Sequence, residues 1–227
     1  MKQILSFLCI IFFSISSCLG QSEDKLNVGL LVVATGKYIR FVEPLINSAE
    51  KHFLTNHNVT YFIFTDGEVP QKENIVKIYQ KKLGWPYDTM MRPSMYYNSK
   101  ELLEAMDYLY SCDADMSFVY TVGDEILSSL VATAHPQRRN YFAGAFYGGK
   151  PEKLFEMWET IINNIESDLA RNVIAKHHEE THQNNYFKSH KPTRILDSTY
   201  CWEQGKKNPR VQPKLLALNK NHKQMRS

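Results

Sequence analysis

The sequence has few cysteines and no strong excess of charge. Only four of its 227 residues are cysteine, and two of these, Cys9 and Cys18, lie in the N-terminal segment. If that segment is removed, Cys112 and Cys201 remain, which is too few for a fold held together by disulfides. The two thiols are compatible with one bridge, although we expect them to be buried and free. The net charge of +3 is too small and too dispersed to indicate a nucleic-acid-binding protein.

The sequence also lacks low-complexity tracts, internal repeats and linker-like segments, and it has only one long apolar run. This run, residues 4–15, follows one lysine and precedes small residues, as in a secretory signal. It is shorter than the roughly 20 residues that a membrane span needs. We therefore expect residues 1–20 to be a signal peptide or a signal anchor, and residues 25–227 to form one domain. The expected location is the Golgi lumen, where the protein is membrane-anchored, or the extracellular space.

Strand-like and helix-like segments alternate from Val28 onward. Strands are predicted at 28–35, 59–66, 74–80, about 107–112 and 141–149, and helices at 41–54, from 99, at 123–133 and at 151–172. Alternating elements with wholly apolar strands indicate an α/β fold, with a mostly parallel central sheet between helices on both faces. Ligands of such folds bind at the C-terminal ends of the strands. Polar residues that follow a strand are therefore the first candidates for a site.

Two aspartates follow the predicted strand that ends at Cys112. Asp113 and Asp115 are two residues apart, so both reach toward one edge of the sheet. Oxygen ligands of this kind suit a hard divalent cation, with phosphate oxygens in its remaining positions. Capping aspartates in an ordinary turn are the alternative interpretation.

The segment 177–186, HHEETHQNNY, contains the pattern H-E-x-x-H and permits a second interpretation. In a zinc hydrolase, His178 and His182 would bind the metal and Glu179 would act as the base. A third ligand would come from further along the chain. The polar residues on the neighbouring faces of this helix, however, argue against a metal-binding helix packed into the core. A polar helix with a purely structural role is the third possibility.

Separated stretches along almost the whole chain carry a more specific signal. These are SAEKHF (48–53), YFIFTD (61–66), DADM (113–116), VGDEIL (122–127), AHP (134–136), FYGG (146–149), HKPTRIL (190–196) and KNHKQMR (220–226). In order and spacing they resemble the family 6 glycosyltransferases, which include the blood-group A and B transferases and the α-1,3-galactosyltransferases. The resemblance implies a GT-A fold, a UDP-sugar donor, Mn²⁺ as cofactor, and transfer with retention to the 3-position of a galactoside.

The resemblance also implies roles for individual residues. Asp113 and Asp115 would hold the metal, and Glu180 would be the nucleophile or the carboxylate that stabilises an oxocarbenium-like transition state. The donor positions fall on Val33, Ala34, Thr35, Tyr38, Arg92, Asp113, Ala143, Ala145, Glu179, Lys220 and Arg226. The acceptor positions fall on His135, His177 and Glu203.

Several of these positions depart from the family pattern. Thr35 stands where an isoleucine is usual, Glu179 where an aspartate is usual, and His177 where a tryptophan is usual. Relatives also carry a much longer loop where this chain has only residues 137–140. The predicted function is therefore transfer of a hexose or N-acetylhexosamine. A catalytically silent relative that still binds a nucleotide or glycan is the alternative, and a zinc hydrolase is the third hypothesis.

Overall fold

The computed structural model describes residues 24–208 and 210–226, without the side chain of Arg226. The predicted signal segment, residues 1–20, lies outside these residues. No helix within the described ranges is both long enough and apolar enough to cross a membrane.

The described chain contains ten strands, seven α-helices and three short 3₁₀ helices. The strands are β1 (Asn27–Val33), β2 (Asn58–Thr65), β3 (Ile75–Tyr79), β4 (Tyr108–Cys112), β5 (Met116–Phe118), β6 (Leu130–Ala134), β7 (Phe142–Gly149), β8 (Arg194–Leu196), β9 (Trp202–Glu203) and β10 (Leu215–Ala217). The α-helices are α1 (Val42–His52), α2 (Tyr87–Met90), α3 (Arg92–Tyr97), α4 (Lys100–Leu103), α5 (Pro151–Ala170), α6 (His178–Ser189) and α7 (His222–Arg226). The 3₁₀ helices are Gly36–Phe41, Asp124–Ile126 and Ser198–Cys201.

Seven strands form the central sheet in the order β3-β2-β1-β4-β7-β6-β8. Strand β7 is antiparallel to β4 and β6, whereas the other four strand pairs in this sheet are parallel. A smaller sheet has the order β5-β10-β9. The predicted mostly parallel sheet is therefore confirmed.

The two faces of the central sheet are both covered by helices. Alternate residues of β1 point to opposite faces, because side chains of a strand alternate with period two. Leu30 packs in the cluster that contains the buried face of α1, whereas Leu31 packs in the cluster formed with α3, α5 and α6. This double burial explains why the strands are continuous apolar runs in the sequence.

The predicted helix at 123–133 is wrong. Only Asp124–Ile126 is helical there, as a 3₁₀ turn, and the chain then enters β6. This strand lies between β7 and β8, and the Leu130 amide also bonds to Thr193 Oγ1 at 2.9 Å. The β-branched residues Val131 and Thr133 are fully buried. Pairing within the sheet has therefore overridden the helical appearance of the local sequence.

The two cysteines of the described chain are free thiols, as predicted. Cys112 is fully buried at the end of β4, and Cys201 is half-buried. Burial raises the pKa of the Cys112 thiol well above its usual value, and it raises that of Cys201 to about 12. Neither thiol is therefore a reactive thiolate near neutral pH.

Gly148 tests the packing of β7 against β4. A Cβ atom at this position would lie 2.2 Å from Tyr110 Cδ1 and 2.4 Å from the backbone oxygen of Leu109. Because a backbone atom cannot rotate away, we expect Gly148→Ala to lower the free energy of unfolding by about 3 kcal/mol. Denaturation in urea measures this loss.

Gly29→Ala is the matched control for this substitution. Its Cβ would meet Leu109 Cδ2 at 2.7 Å and Phe62 Cε2 at 3.0 Å, which belong to movable side chains. We expect a smaller loss of stability there. Equal losses at Gly148 and Gly29 would contradict the close approach of β7 to β4.

Candidate active site

Two adjoining cavities lie where the central strands end. The first has a volume of about 220 Å³ and the second of about 570 Å³, and both are lined by Arg92 and Asp113. The predicted residues in the first cavity also include Val33, Thr35, Tyr38, Asp115 and Lys220. Those in the second also include His135, Ala143, Ala145, His177, Glu179, Glu180 and Glu203. We refer to the two together as the cleft.

Arg92 is the buried cation at the centre of the cleft. It begins α3, and its guanidinium forms ion pairs with Asp113, just after β4, and with Glu179 in the first turn of α6. Its Nε also donates to Glu179 Oε1 at 3.2 Å. Burial alone would lower the pKa of Arg92, but the charges of Asp113 and Glu179 outweigh this effect and raise it well above the usual value. The guanidinium therefore fixes the two carboxylates relative to each other.

Glu179 is only 3% exposed, and one of its oxygens is orphaned. Oε1 accepts hydrogen bonds from Arg92, whereas Oε2 is buried and has no hydrogen-bond partner among the described residues. Burial raises the pKa of the Glu179 carboxyl to about 7, although Arg92 acts in the opposite direction. A buried polar atom without a partner is costly. Oε2 is therefore well placed to hydrogen-bond a ligand in the cleft.

Glu180 has a different environment from its neighbour. Its Oε2 accepts a hydrogen bond from the backbone amide of Gly144 in β7, at 2.8 Å. Oε1 lies 3.9 Å from Arg138 Nη1, in the short loop between β6 and β7. Ala143 and Ala145 flank Gly144, so small side chains line the cleft beside this carboxylate. The arrangement presents an oriented carboxylate to a ligand.

Asp115 lies beside the C-terminal segment 218–226, which we call the tail. Its side chain is 7% exposed and pairs with Lys220, whose ammonium group also lies 5.4 Å from the centre of the Tyr38 ring. The Leu218 amide donates to the backbone oxygen of Asp115 at 2.9 Å. The tail is thus attached to the strand edge through the carboxylate that sequence reasoning assigned to a metal.

The predicted acceptor residues surround the outer part of the second cavity. His135 and His177 both pack edge-on against Tyr141, with ring centres 5.7 and 6.2 Å apart from it. Gln137, in the short loop, donates a hydrogen bond to Glu203. Burial lowers the pKa of His135. The shortened loop therefore closes onto residues to which the resemblance assigned acceptor contacts.

The chemistry of Asp113 and Asp115 fits a divalent cation that is shared with a diphosphate. No group of three or more potential metal-ligating side chains occurs within residues 24–208 and 210–226. Two carboxylates suffice, however, where phosphate oxygens complete the coordination, as is usual for hard cations with nucleotides. Each aspartate already pairs with a positive side chain of the protein, Arg92 or Lys220. These carboxylates therefore lie where positive charge is stabilised.

The histidines of the H-E-x-x-H pattern make other contacts. The His178 ring packs edge-on against Trp85, with ring centres 4.6 Å apart. His182 is buried, and its Nε2 lies 3.5 Å from Asp168 Oδ2 on α5. His178 also has a left-handed backbone, with φ of 48°, where α6 begins. The pattern therefore marks the start of a helix that is packed against α5.

Two predicted residues do not take part in this arrangement as described. Ala34 is fully buried in the core, and its backbone pairs with Phe64 and Thr65 of β2. The side chain of Arg226 lies outside the described part of the structure. Sequence reasoning also missed residues that line the cleft, chiefly Lys82, Trp85, Asp88, Gln137, Arg138, Gly144 and His222. Most of them lie in the short loop or close in sequence to a predicted site residue, and this proximity was the only available signal.

Comparison with known proteins finds similarity to one family of enzymes along nearly the whole chain. The model of the family described as Glycosyltransferase family 6 matches residues 20–140 and 135–227. The chain belongs to glycosyltransferase family 6. This confirms the resemblance that the separated motifs indicated, and the enzyme is a hexosyltransferase with a GT-A fold.

Three relatives illustrate the similarity of this family 6 enzyme to characterised transferases. Histo-blood group ABO system transferase 1 of Rattus norvegicus is 31% identical over 239 residues, covering 88% of this chain and 69% of the relative. Globoside alpha-1,3-N-acetylgalactosaminyltransferase 1 of Gallus gallus is 29% identical, with 89% and 70% covered. Alpha-1,3-galactosyltransferase 2 of Homo sapiens is 25% identical, with 90% and 72% covered.

The raised pKa of Glu179 predicts a pH-dependent stability. Because the folded enzyme retains this proton up to about pH 7, whereas the unfolded chain loses it near the ordinary value of 4.5, the stability from Glu179 is lost as pH rises. Glu179→Gln removes this titration. The unfolding free energy of the wild type relative to that of Glu179→Gln should fall by about 2 kcal/mol between pH 5 and pH 8.

Urea denaturation at both pH values measures this difference. Glu166→Gln, at an exposed position of α5, is the control for loss of a surface carboxylate. A difference between the wild type and Glu179→Gln that stays constant or grows with pH would contradict the desolvation of Glu179.

Proposed function

We propose that this family 6 enzyme transfers a hexose or N-acetylhexosamine from a UDP-sugar to the 3-position of a galactoside, with retention of configuration. The observation that carries the proposal is the joining of two acidic pairs by one buried cation. Arg92 contacts both Asp113, of the aspartate pair, and Glu179, of the glutamate pair. In this proposal, the aspartates bind the diphosphate with its cation, and the glutamates act on the sugar in the same cleft.

The aspartate side of the cleft suits the diphosphate. When the bond between the sugar and UDP breaks, the electron pair leaves with the diphosphate, and its negative charge must be stabilised. Lys220 lies beside Asp115, so the tail supplies positive charge there. The resemblance assigns a donor role to Arg226 as well, and it would add to this charge. Asp113 and Asp115 would hold Mn²⁺, which neutralises phosphate charge when bound.

The glutamate side suits the sugar. Loss of the diphosphate leaves positive charge at the anomeric carbon, which a carboxylate on the opposite face stabilises either by covalent attack or by its charge alone. We assign this role to Glu180, because the Gly144 amide orients it toward the cleft. Glu179 Oε2, which is buried without a partner among the described residues, would hydrogen-bond a hydroxyl of the donor sugar.

The acceptor site and the location of the enzyme are parts of the same proposal. His135, His177 and Glu203 would contact the acceptor at the outer end of the cleft, where they line the larger cavity. Residues 25–227 would be the catalytic domain. With residues 1–20 as a signal or anchor, the enzyme would work in the secretory pathway, in the Golgi lumen or after secretion.

Calorimetry with UDP tests the donor site. We expect Mn²⁺ to tighten UDP binding by at least about tenfold, because Asp113 and Asp115 would hold a cation that neutralises charge on the diphosphate. Asp115→Asn should abolish this gain, whereas Asp24→Asn, at an exposed position near the start of the described chain, should retain it. UDP binding that is the same with and without Mn²⁺ would contradict the proposal. Binding of Zn²⁺ alone, with no effect of UDP, would favour the zinc hydrolase.

Substitution of Glu180 tests the chemistry. Glu180→Gln should lower transfer from UDP-hexose or UDP-N-acetylhexosamine by about 100-fold or more, because the amide cannot stabilise the cationic transition state as a carboxylate does. UDP affinity should stay within about twofold, since Glu180 acts on the sugar. The measurement combines UDP release with product formation on a panel of galactosides.

Glu101→Gln, at an exposed position of α4, is the control and should change neither quantity. Unchanged transfer by Glu180→Gln would remove Glu180 from the reaction. UDP binding by the wild type without turnover of any donor would instead indicate a silent nucleotide-binding relative.

A further inference from the structure

Asp88 in α2 is held in a fixed orientation at the smaller cavity of the cleft. Its Oδ1 accepts a hydrogen bond from the Leu83 amide at 2.7 Å and another from Thr35 Oγ1 at 3.1 Å. Among the described residues, Asp88 thus has two hydrogen-bond donors, and Oδ1 accepts from both. The other oxygen, Oδ2, remains available to a ligand, while the carboxylate itself is anchored to Thr35, just after β1, and to the segment before α2.

The size and lining of this cavity indicate which part of a nucleotide sugar it takes. At about 220 Å³ it is smaller than the roughly 300–1,000 Å³ typical of sites for whole small molecules. The cavity is lined by Asp113, Asp115 and Lys220, whose charges suit a diphosphate and its cation. It is also lined by Thr35, Tyr38 and Asp88. Since the larger cavity holds the two glutamates, the end with Asp88 is left for the nucleoside.

The hydrogen-bonding capacity of a carboxylate restricts the base that it can accept. An ionised carboxylate only accepts hydrogen bonds. Uracil presents a donor, N3–H, on its pairing edge, whereas cytosine presents a bare acceptor nitrogen at the same position. An oxygen aimed at N3 therefore attracts uracil and repels the lone pair of cytosine.

We propose that Asp88 determines the nucleobase specificity of the donor site, with Oδ2 accepting a hydrogen bond from the N3–H of uracil. This inference rests on the proposed UDP-sugar donor. Thr35 is then a positioning residue, because its hydroxyl fixes the orientation of Asp88. The pairing of Thr35 with Asp88 also gives a physical role to a position where the sequence departs from the usual isoleucine.

Asp88→Asn tests the proposal with little change of shape. The amide oxygen still accepts the hydrogen bonds from Leu83 and Thr35, while an NH₂ group replaces Oδ2. We expect the preference for UDP over CDP, measured by calorimetry with Mn²⁺ present, to fall by at least about tenfold. An NH₂ group repels N3–H of uracil and donates to N3 of cytosine. Loss of a purely structural contact would instead weaken UDP and CDP equally.

A methylated nucleotide tests the same contact in the unaltered enzyme. N3-methyl-UDP lacks the N3–H donor, so the wild type should bind it at least about tenfold more weakly than UDP. In Asp88→Asn, the affinities for UDP and for N3-methyl-UDP should differ by only a small factor. Thr35→Val should reduce the preference of the enzyme for UDP over CDP only partly.

The outcomes separate this inference from the proposed function. A wild type that binds UDP and N3-methyl-UDP equally well overturns the role of Asp88, whether or not the variants fold. A preference for UDP that survives unchanged in Asp88→Asn overturns it as well, while the UDP-sugar site stands. A wild type that binds neither UDP nor CDP overturns both the inference and the proposed donor.

Discussion

The ion pairs of the buried Arg92 are the interaction on which the cleft depends. Glu179 is 87 positions away from Arg92 in the sequence, yet its carboxylate and that of Asp113 contact the same guanidinium. Removing one partner from a buried charge network leaves an uncompensated charge, which costs several kcal/mol. The first turn of α3, the end of β4 and the first turn of α6 are therefore mutually required. Their relative positions set the distance between the diphosphate and sugar parts of the proposed site.

Two adjacent glutamates of the cleft have different properties because their environments differ. Glu179 is buried against the guanidinium and has a pKa near 7, whereas Glu180 bonds to a backbone amide of β7 and remains partly exposed. In active sites, such differences in environment allow neighbouring carboxylates to perform different tasks. Gly144 is important to this arrangement, because its backbone amide donates the hydrogen bond that orients Glu180 Oε2.

The features peculiar to this chain are concentrated at the two ends of the cleft. At the outer end, the short loop brings Arg138 to Glu180 and Gln137 to Glu203. At the end that we propose for the nucleoside, Thr35 and Asp88 are joined by a hydrogen bond. Between these ends, Glu179 stands where the family usually has an aspartate, whereas Glu180 follows the family pattern. Differences in substrate choice from other family 6 enzymes are therefore expected at the ends, and the common chemistry at the centre.

The sequence by itself determined the α/β class, the strands with continuous apolar runs and the family, because burial on both faces and separated motifs leave local signatures. It failed at 123–133, where pairing with β7 and β8 decided the conformation. It predicted Asp113, Glu179 and Arg92 as site residues but not that one guanidinium contacts both carboxylates. Only the tertiary structure decided this contact and the hydrogen bond between Thr35 and Asp88, since both require side chains that are distant in sequence to meet.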